Sequence, residues 1–395
     1  MEIKGEFNEA IVYTDKVEES ALQQIKNLCD KKEFKGTKIR IMPDVHAGAG
    51  CVIGLTISGV NLPIIPNLIG VDLGCGISVY ELNNIHSLEK LDKYIKENIP
   101  SGFNINEKIQ FNIDNNIYKQ IIEKICETTQ QKKERVFKSI GSLGGGNHFI
   151  EVNKGSDGKL YLCVHSGSRN FGLKIAEYYQ KIAKKEYGEA DGLEILVSDE
   201  AREAYIEAQE IAVKYAEFNR ETIIKRILNE CLLEDFEKSK FFTSIHNYLK
   251  SGVVSTIRKG ATLATVNTKL IIPLNMAEGS LICEGKSNKE WNYSAPHGAG
   301  RVLSRKKAQN LDMEEYKEKM KGIYTSCVSE NTLDESPMAY KKSNEIINNI
   351  QDTVKIIDII KPIYNFKAEE EKKWYIKKKL NKQELNIKSE QEDKN

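Results

Sequence analysis

The chain lacks the features that mark membrane, secreted or disulfide-rich proteins. Its most apolar region, residues 51–79, is interrupted by glycines, prolines, Asn61, Asn67 and Asp72, which predicts buried strands and turns rather than a membrane span. Residues 1–6 lack the basic and then apolar pattern of a signal peptide. The eight cysteines include no Cys-X-X-Cys pair and have no regular spacing. We therefore expect free thiols in a reducing cytoplasm and no membrane segment.

The chain also lacks an excess of charge of either sign. Its 58 lysines and arginines nearly balance its 57 aspartates and glutamates, so the formal net charge is +1. Such a balance provides no global field for nucleic acid and disfavours a non-catalytic RNA-binding module. A polyanion would have to be held by local cations, and the candidates beside histidine or glycine motifs are Arg169, Arg301 and Arg305.

Histidine is scarce, but most of the six histidines lie in contexts that favour chemistry. Four of them fall in short glycine- or asparagine-rich runs: His148, His165, His246 and His297. A fifth, His46, ends a run in which Asp44 could orient an imidazole. Each histidine taken alone also fits a hydrogen-bonded core or surface residue.

A carboxylate and a thiol lie three residues apart in the glycine-rich run 70–76, which contains Asp72 and Cys75. A thiolate can bridge two divalent ions, a carboxylate adds a hard oxygen ligand, and glycines allow the tight backbone that turns both inward. Taken alone, the run is more typical of a buried glycine turn with a structural cysteine. With His148, His165 and His246 it predicts a transition-metal site.

The loop that follows His297 has a different character, because Gly298, Ala299, Gly300 and Arg301 come next. Such a loop leaves an imidazole exposed among backbone N–H donors, which suits attack by histidine on a phosphate. An ordinary anion-binding loop, with His297 as a donor only, is the alternative. The glycines at 144–146 similarly predict either a phosphate-binding nest or a hairpin turn.

The pattern of apolar residues predicts an α+β fold: one large mixed-sheet domain with a helical insertion and a charged C-terminal extension. Strands are expected within residues 39–79, 149–152, 160–164 and 253–283, and surface helices within 87–135. Ser198, followed by Asp199 and Glu200, predicts the start of a long helix that reaches residue 233. A second helix is expected over residues 304–321. Residues 368–395 are rich in Lys, Glu, Gln and Asn and predict a helical or disordered appendage to a domain over residues 1–367.

Several of these runs, in this order, resemble the motifs of the RtcB-type RNA ligases. They are residues 42–46, 70–76, 146–151, 165–169, 246–248 and 297–301. The resemblance extends from the amino terminus to about residue 367. It implies an enzyme that joins an RNA 3′-phosphate or 2′,3′-cyclic phosphate end to a 5′-hydroxyl end, using GTP and two Mn²⁺ ions. RNA and GTP would then be the partners, and the need for an archease-type activator stays open.

The resemblance also implies a role for each matching residue. Cys75 would bridge the two ions, with Asp72 and His148 on one and His165 and His246 on the other. His297 would attack the α-phosphate of GTP and carry GMP, while Asp44 orients its ring. The residues that would line the nucleotide pocket are Asn147, Glu151, Asn247, Asn275, Met276, Ser280, Gly298, Ala299, Gly300 and Lys367.

The chain departs from the family pattern at two places. Pro273-Leu274-Asn275-Met276-Ala277 stands where many members have Pro-Gly-Ser-Met-Gly, and Lys367-Ala368 stands where members commonly end in Lys-Gly. Both departures concern contacts with guanine rather than with metal. The competing hypothesis is a metal-dependent phosphodiesterase or phosphatase that keeps the metal site without ligation. Such a hydrolase would have no use for a guanylylated His297.

Overall fold

The computed structural model describes residues 1–110 and 116–368. The appendage expected at residues 368–395 lies, apart from Ala368, outside the described residues. Among the described residues, no helix is both long enough and apolar enough to cross a membrane.

The strands in the described part of the chain are β1 (Glu2–Lys4), β2 (Glu9–Val12), β3 (Lys38–His46), β4 (Ile53–Gly59), β5 (Gly76–Leu82), β6 (Phe149–Lys154), β7 (Leu160–Ser166), β8 (Phe241–Ile245), β9 (Asn247–Lys250), β10 (Ser255–Lys259), β11 (Ala261–Leu263), β12 (Lys269–Asn275), β13 (Gly279–Gly285), β14 (Ser294–Pro296) and β15 (Val354–Lys367). The helices are α1 (Glu19–Cys29), α2 (Pro66–Ile69), α3 (Leu88–Asn98), α4 (Asn116–Thr128), α5 (Lys133–Ser139), α6 (Arg169–Tyr187), α7 (Asp199–Arg226), α8 (Arg305–Ala308), α9 (Met313–Lys319) and α10 (Ser343–Asn349). A π-helical segment, Ile227–Leu232, continues α7, and the 3₁₀ segments are Lys32–Phe34, Lys238–Lys240, Lys289–Trp291, Glu330–Glu335 and Pro337–Ala339.

The strands form two large sheets and one short strand pair. The six-stranded sheet has the order β1-β2-β3-β4-β10-β9, and the seven-stranded sheet has the order β12-β13-β15-β6-β7-β5-β8. Strands β11 and β14 pair separately. Only β2 and β3 pair in parallel; the other described strand pairs of the sheets are antiparallel. The α+β mixed-sheet fold predicted from the sequence is therefore confirmed.

Helix α7 holds the two sheets together because it contributes to both cores. Tyr205, Ile211 and Tyr215 belong to the apolar cluster that covers the six-stranded sheet. A little more than two turns after Tyr215, Ile223 and Ile224 pack in the cluster against the seven-stranded sheet. The helix begins where the sequence predicts, since the Ser198 hydroxyl accepts a hydrogen bond from the Ala201 N–H.

Two helix predictions need correction. The single helix expected over residues 304–321 is interrupted between α8 and α9, because the Asp312 carboxylate accepts from the Glu315 N–H and starts a new helix there. Helix α6 was not predicted. Its buried residues Ile175, Ala176 and Tyr179 nevertheless lie at helical spacing.

Candidate active site

The predicted metal ligands lie at one edge of the seven-stranded sheet because each adjoins a strand end there. Cys75 precedes β5 and His148 precedes β6, while His165 is the next-to-last residue of β7. Antiparallel register then aligns them: Ile77 pairs with His165, and His165 pairs with Phe149. His246 is the one residue between β8 and β9, where the chain passes from one sheet to the other.

The five side chains form two trios that share Cys75. One trio is Asp72, Cys75 and His148, the other is Cys75, His165 and His246, and the candidate ligand atoms of each lie within 4.8 Å of one another. The Cys75 Sγ is 3.3 Å from the His165 Nε2 and 3.5 Å from the His148 Nε2. The grouping is the one that the resemblance implies, and metal binding itself stays a prediction.

Backbone carbonyls fix which ring nitrogen of two histidines faces the cluster. The Nδ1 of His148 is 3.0 Å from the Leu143 carbonyl oxygen, and the Nδ1 of His165 is 3.2 Å from that of Asn147. Each Nδ1 therefore carries the proton, and each Nε2 is left as a lone pair. The His148 Nε2 then faces the Asp72 carboxylate at 3.1 Å, an acceptor against an acceptor. A cation between them would make that contact favourable, so the donor set fits a metal ion.

The protonation states agree with that interpretation. Burial, together with neighbouring positive groups, holds the pKa of His165 and of His246 well below the usual range, so both imidazoles are neutral. Burial and then the Asp72 carboxylate raise the pKa of the Cys75 thiol well above its usual value. Only a bound cation would make the Cys75 thiolate stable at neutral pH.

Glycine is required beside the Asp72 carboxylate. A Cβ at Gly167 would overlap both oxygens and the carbon of that group. Below the cluster, the fully buried Arg220 donates to the carbonyls of Gly74 and Ser166, each at 2.9 Å. It therefore fixes the backbone beside Cys75 and beside His165 at once.

His297 follows β14, and Asp44 fixes its imidazole. The Asp44 Oδ2 accepts from the His297 Nδ1 at 2.6 Å and from the backbone N–H groups of His297 and Gly298 at 3.1 and 3.2 Å. Asp44 is fully buried. Position 300 in this loop favours glycine, because its φ is +75° and because a Cβ there would overlap the Asp44 backbone. The ring of His297 lies 4.8 Å from that of His246, centroid to centroid, so the two parts of the site are contiguous.

A cleft of about 240 Å³ opens beside His297 and His165. The predicted nucleotide and phosphate residues that line it are Asn147, Glu151, Asn275, Met276, Gly298, Ala299, Gly300, Arg301, Arg305 and Lys367. Within it, the Asn365 and Asn153 amides donate to the two oxygens of Glu151, at 2.6 and 3.3 Å. Burial nevertheless raises the pKa of Glu151 to about 7.

One buried carboxylate holds the cations of the cleft. Glu335 is paired with Arg305 at 2.7 Å, Lys367 at 2.7 Å and Arg301 at 3.2 Å, and it accepts from the Tyr340 hydroxyl at 2.6 Å. Burial opposes its ionisation, but Lys367 and then Arg305 outweigh that cost and lower its pKa to about 2.

Three predicted residues do not line the cleft. Asn247 instead donates to the Asp72 carbonyl and accepts from the Gly260 N–H, so it braces the cluster. Ser280 is buried in β13. The guanidinium of Arg169 is turned toward the Ser142 hydroxyl and the Gly102 carbonyl, at 3.2 and 3.0 Å. Their proposed roles in binding stay predictions.

Sequence reasoning missed Glu335, Tyr340 and Arg220. Glu335 lies 30 or more residues from each of its cationic partners, and Arg220 lies within a helical pattern that predicts only scaffolding. No local spacing reports such long-range contacts. The sequence feature that could have drawn attention to Glu335 is the adjacent acidic pair Asp334-Glu335, which has no lysine or arginine beside it in the chain.

Comparison with known proteins gives a consistent result over most of the chain. The family model described as tRNA-splicing ligase RtcB matches residues 24–368. The RNA-splicing ligase RtcB of Escherichia coli K12 is 30% identical over an alignment of 389 positions, and the match covers 88% of this chain and 94% of that protein. The tRNA-splicing ligase RtcB of Aeropyrum pernix is 26% identical over an alignment of 442 positions, and the match covers 85% of this chain and 90% of that protein. The resemblance that the motifs indicate is thereby confirmed: the chain belongs to the tRNA-splicing ligase RtcB family.

Proposed function

We propose that this protein is an RNA ligase that joins a 3′-phosphate or 2′,3′-cyclic phosphate end to a 5′-hydroxyl end with GTP and Mn²⁺. The observation that carries the proposal is the contact between a five-ligand cluster and a separate, carboxylate-held histidine, beside one polar cleft. Family membership and the names of the relatives support the same activity.

Two Mn²⁺ ions would be held by Asp72, Cys75 and His148 and by Cys75, His165 and His246. They would supply positive charge that neutralises the phosphates of GTP and of the RNA end. The mixture of one thiolate, three imidazoles and one carboxylate is compatible with a first-row transition metal.

His297 would be the nucleophile toward GTP. Because the Nδ1–H of His297 donates a hydrogen bond to Asp44, the Nε2 lone pair is free to attack the α-phosphate. The N–P bond forms as the bond to pyrophosphate breaks, and GMP stays on His297 as a phosphoramidate. Arg301 and Arg305, oriented by Glu335, would stabilise charge on the transferred phosphate.

The GMP group would then pass to the RNA. An oxygen of the RNA 3′-phosphate attacks the phosphoramidate phosphorus, and His297 leaves as a neutral imidazole. The 5′-hydroxyl of the second RNA attacks the activated 3′-phosphate, and GMP departs. A cyclic end must first be opened by water to a 3′-phosphate.

We propose guanine recognition at the other end of the cleft. Glu151, held by Asn153 and Asn365, presents a carboxylate that can accept from the ring N–H and amino group of guanine. The Lys367 ammonium lies 5.5 Å from the centre of the Phe149 ring, beside the same carboxylate. Asn147, Asn275 and Met276 complete the proposed lining.

Ligation distinguishes this proposal from hydrolysis on the same metal site. A labelled RNA with a 3′-phosphate and a second RNA with a 5′-hydroxyl, incubated with GTP and Mn²⁺, should give a joined product. A 5′-phosphate on the second RNA should abolish joining. Release of inorganic phosphate or ring opening, with no joined product at any Mn²⁺ concentration, would leave only the phosphodiesterase or phosphatase hypothesis.

A further inference from the structure

His46, the last residue of β3, lines the same cleft as His165 and His297 and is the third imidazole there. It pairs in register with Ile53, and a Cβ at Gly260 would meet both the Ile53 side chain and the His297 ring. His46 therefore lies on the wall of the cleft near His297 and outside both ligand trios. No step described so far uses it.

The backbone defines the tautomer of His46. Its Nδ1 lies 3.0 Å from the Asp44 carbonyl oxygen, so Nδ1 carries a proton. The Nε2 is then a lone pair, and among the described residues it has no hydrogen-bond partner. An unpaired acceptor on the wall of a polar cleft is available to a substrate hydroxyl.

The charges around His46 favour its neutral form. Burial lowers its pKa and the Arg301 charge adds to the lowering, while the hydrogen bond to the Asp44 backbone and the Asp44 carboxylate oppose it. From neighbouring segments, Glu18 accepts from the Ala47 N–H and Lys341 donates to the carbonyls of Pro43 and Val45. At neutral pH the ring is therefore able to take up a proton.

Of the three steps that lead from GTP and a 3′-phosphate end to the joined product, only the last must remove a proton from its nucleophile. His297 attacks GTP with a lone pair, because its ring proton is on Nδ1 and held by Asp44. The RNA 3′-phosphate attacks as an anion. The 5′-hydroxyl, in contrast, has to lose its proton as the new P–O bond forms.

We propose that the His46 Nε2 is the general base of the final joining step, an inference that rests on the function proposed above. The 5′-hydroxyl transfers its proton to Nε2 as its oxygen bonds to the activated 3′-phosphorus. The P–O bond to GMP breaks, and GMP leaves with the electron pair. Release of the proton to water then restores neutral His46.

His46→Asn tests this assignment, because the asparagine amide can still donate to the Asp44 carbonyl but has no basic nitrogen. With the complete protein, GTP and Mn²⁺, the variant should form the His297–GMP adduct at the wild-type rate and accumulate RNA with a guanylylated 3′ end. Joining of RNA that already carries this end should fall by about 100-fold or more. In the wild type, the joining rate should rise with pH as the His46 base loses its proton. In His46→Asn this rise should be absent.

The matched control is His86→Gln, which replaces an exposed histidine outside the cleft and should behave as the wild type. Joining of the pre-activated RNA at the wild-type rate and with the wild-type pH profile in His46→Asn would overturn the assignment. Equal loss of adduct formation and joining would also overturn it, since His46 would then act only by supporting His297. Absence of an adduct in the wild type would instead reject the proposed function.

Discussion

Cys75 is the residue on which both halves of the proposed metal site depend, because its thiol is the single candidate ligand common to the two trios. Cys75→Ala should weaken Mn²⁺ binding at both sites by at least about tenfold, since the loss of supporting contacts alone costs 10- to 100-fold. Equilibrium dialysis with Mn²⁺ measures the stoichiometry and the affinity.

Cys231→Ala is the control for that experiment, because Cys231 is only half-buried and outside the cluster. The thermal midpoint of metal-free Cys75→Ala should stay within a few degrees of the wild type. If the variant still bound two ions with wild-type affinity, the shared thiolate would be wrong.

Glu335 gives a prediction about pH. Its folded pKa of about 2 is below the ordinary value of 4.5, so ionised Glu335 stabilises the fold above pH 4.5 and that contribution is lost as pH falls toward 2. Relative to Glu335→Gln, the wild type should lose on the order of 3 kcal/mol of unfolding free energy across this window.

Denaturant titrations of the two proteins at pH 6, 5, 4 and 3 measure the difference directly. A difference that does not change with pH would show that the carboxylate is not ionised against Lys367, Arg305 and Arg301. The same variant should raise the KM for GTP, because those three cations line the cleft.

At the scale of the elements, the site depends on close approaches that only glycine permits. Gly167→Ala would push the Asp72 carboxylate out of the first trio, because the new methyl group would overlap it. One of the two Mn²⁺ sites should therefore weaken more than the other. Gly252→Ala is the matched control, since a Cβ there meets only one backbone atom at 3.6 Å. Equal weakening of both sites, or of neither, would contradict this placement of Asp72.

Much of this organisation could be predicted from the sequence. Glycine-bounded apolar runs indicated β3, β4, β5 and β7, and the histidines beside them marked the strand ends that meet. Long-range partners could not be predicted, because nothing near Glu335 or Arg220 in the chain indicates what each contacts. The helix break before α9 depends on one capping hydrogen bond to Asp312. The sequence pattern of residues 304–321 instead favours one continuous helix.

Across the whole molecule, a formal net charge near zero is combined with a cleft that is lined by several cations. The cleft gathers Arg301, Arg305 and Lys367 at one buried carboxylate, although the chain as a whole has a formal net charge of only +1. Binding of RNA should therefore depend on ends that can enter the cleft. Helix α7 and the chain segment through His246 join the two sheets. This connection places the cleft beside the proposed metal ligands.

The most direct test of the account is the transfer of label from [α-³²P]GTP to the protein in the presence of Mn²⁺. If His297 carries GMP, one covalent adduct is expected, stable to alkali and labile to acid, as a phosphoramidate is. His297→Ala should abolish it, whereas His86→Gln should retain it. Absence of label with any divalent metal, or label that persists in His297→Ala, would contradict the central claim that His297 carries GMP.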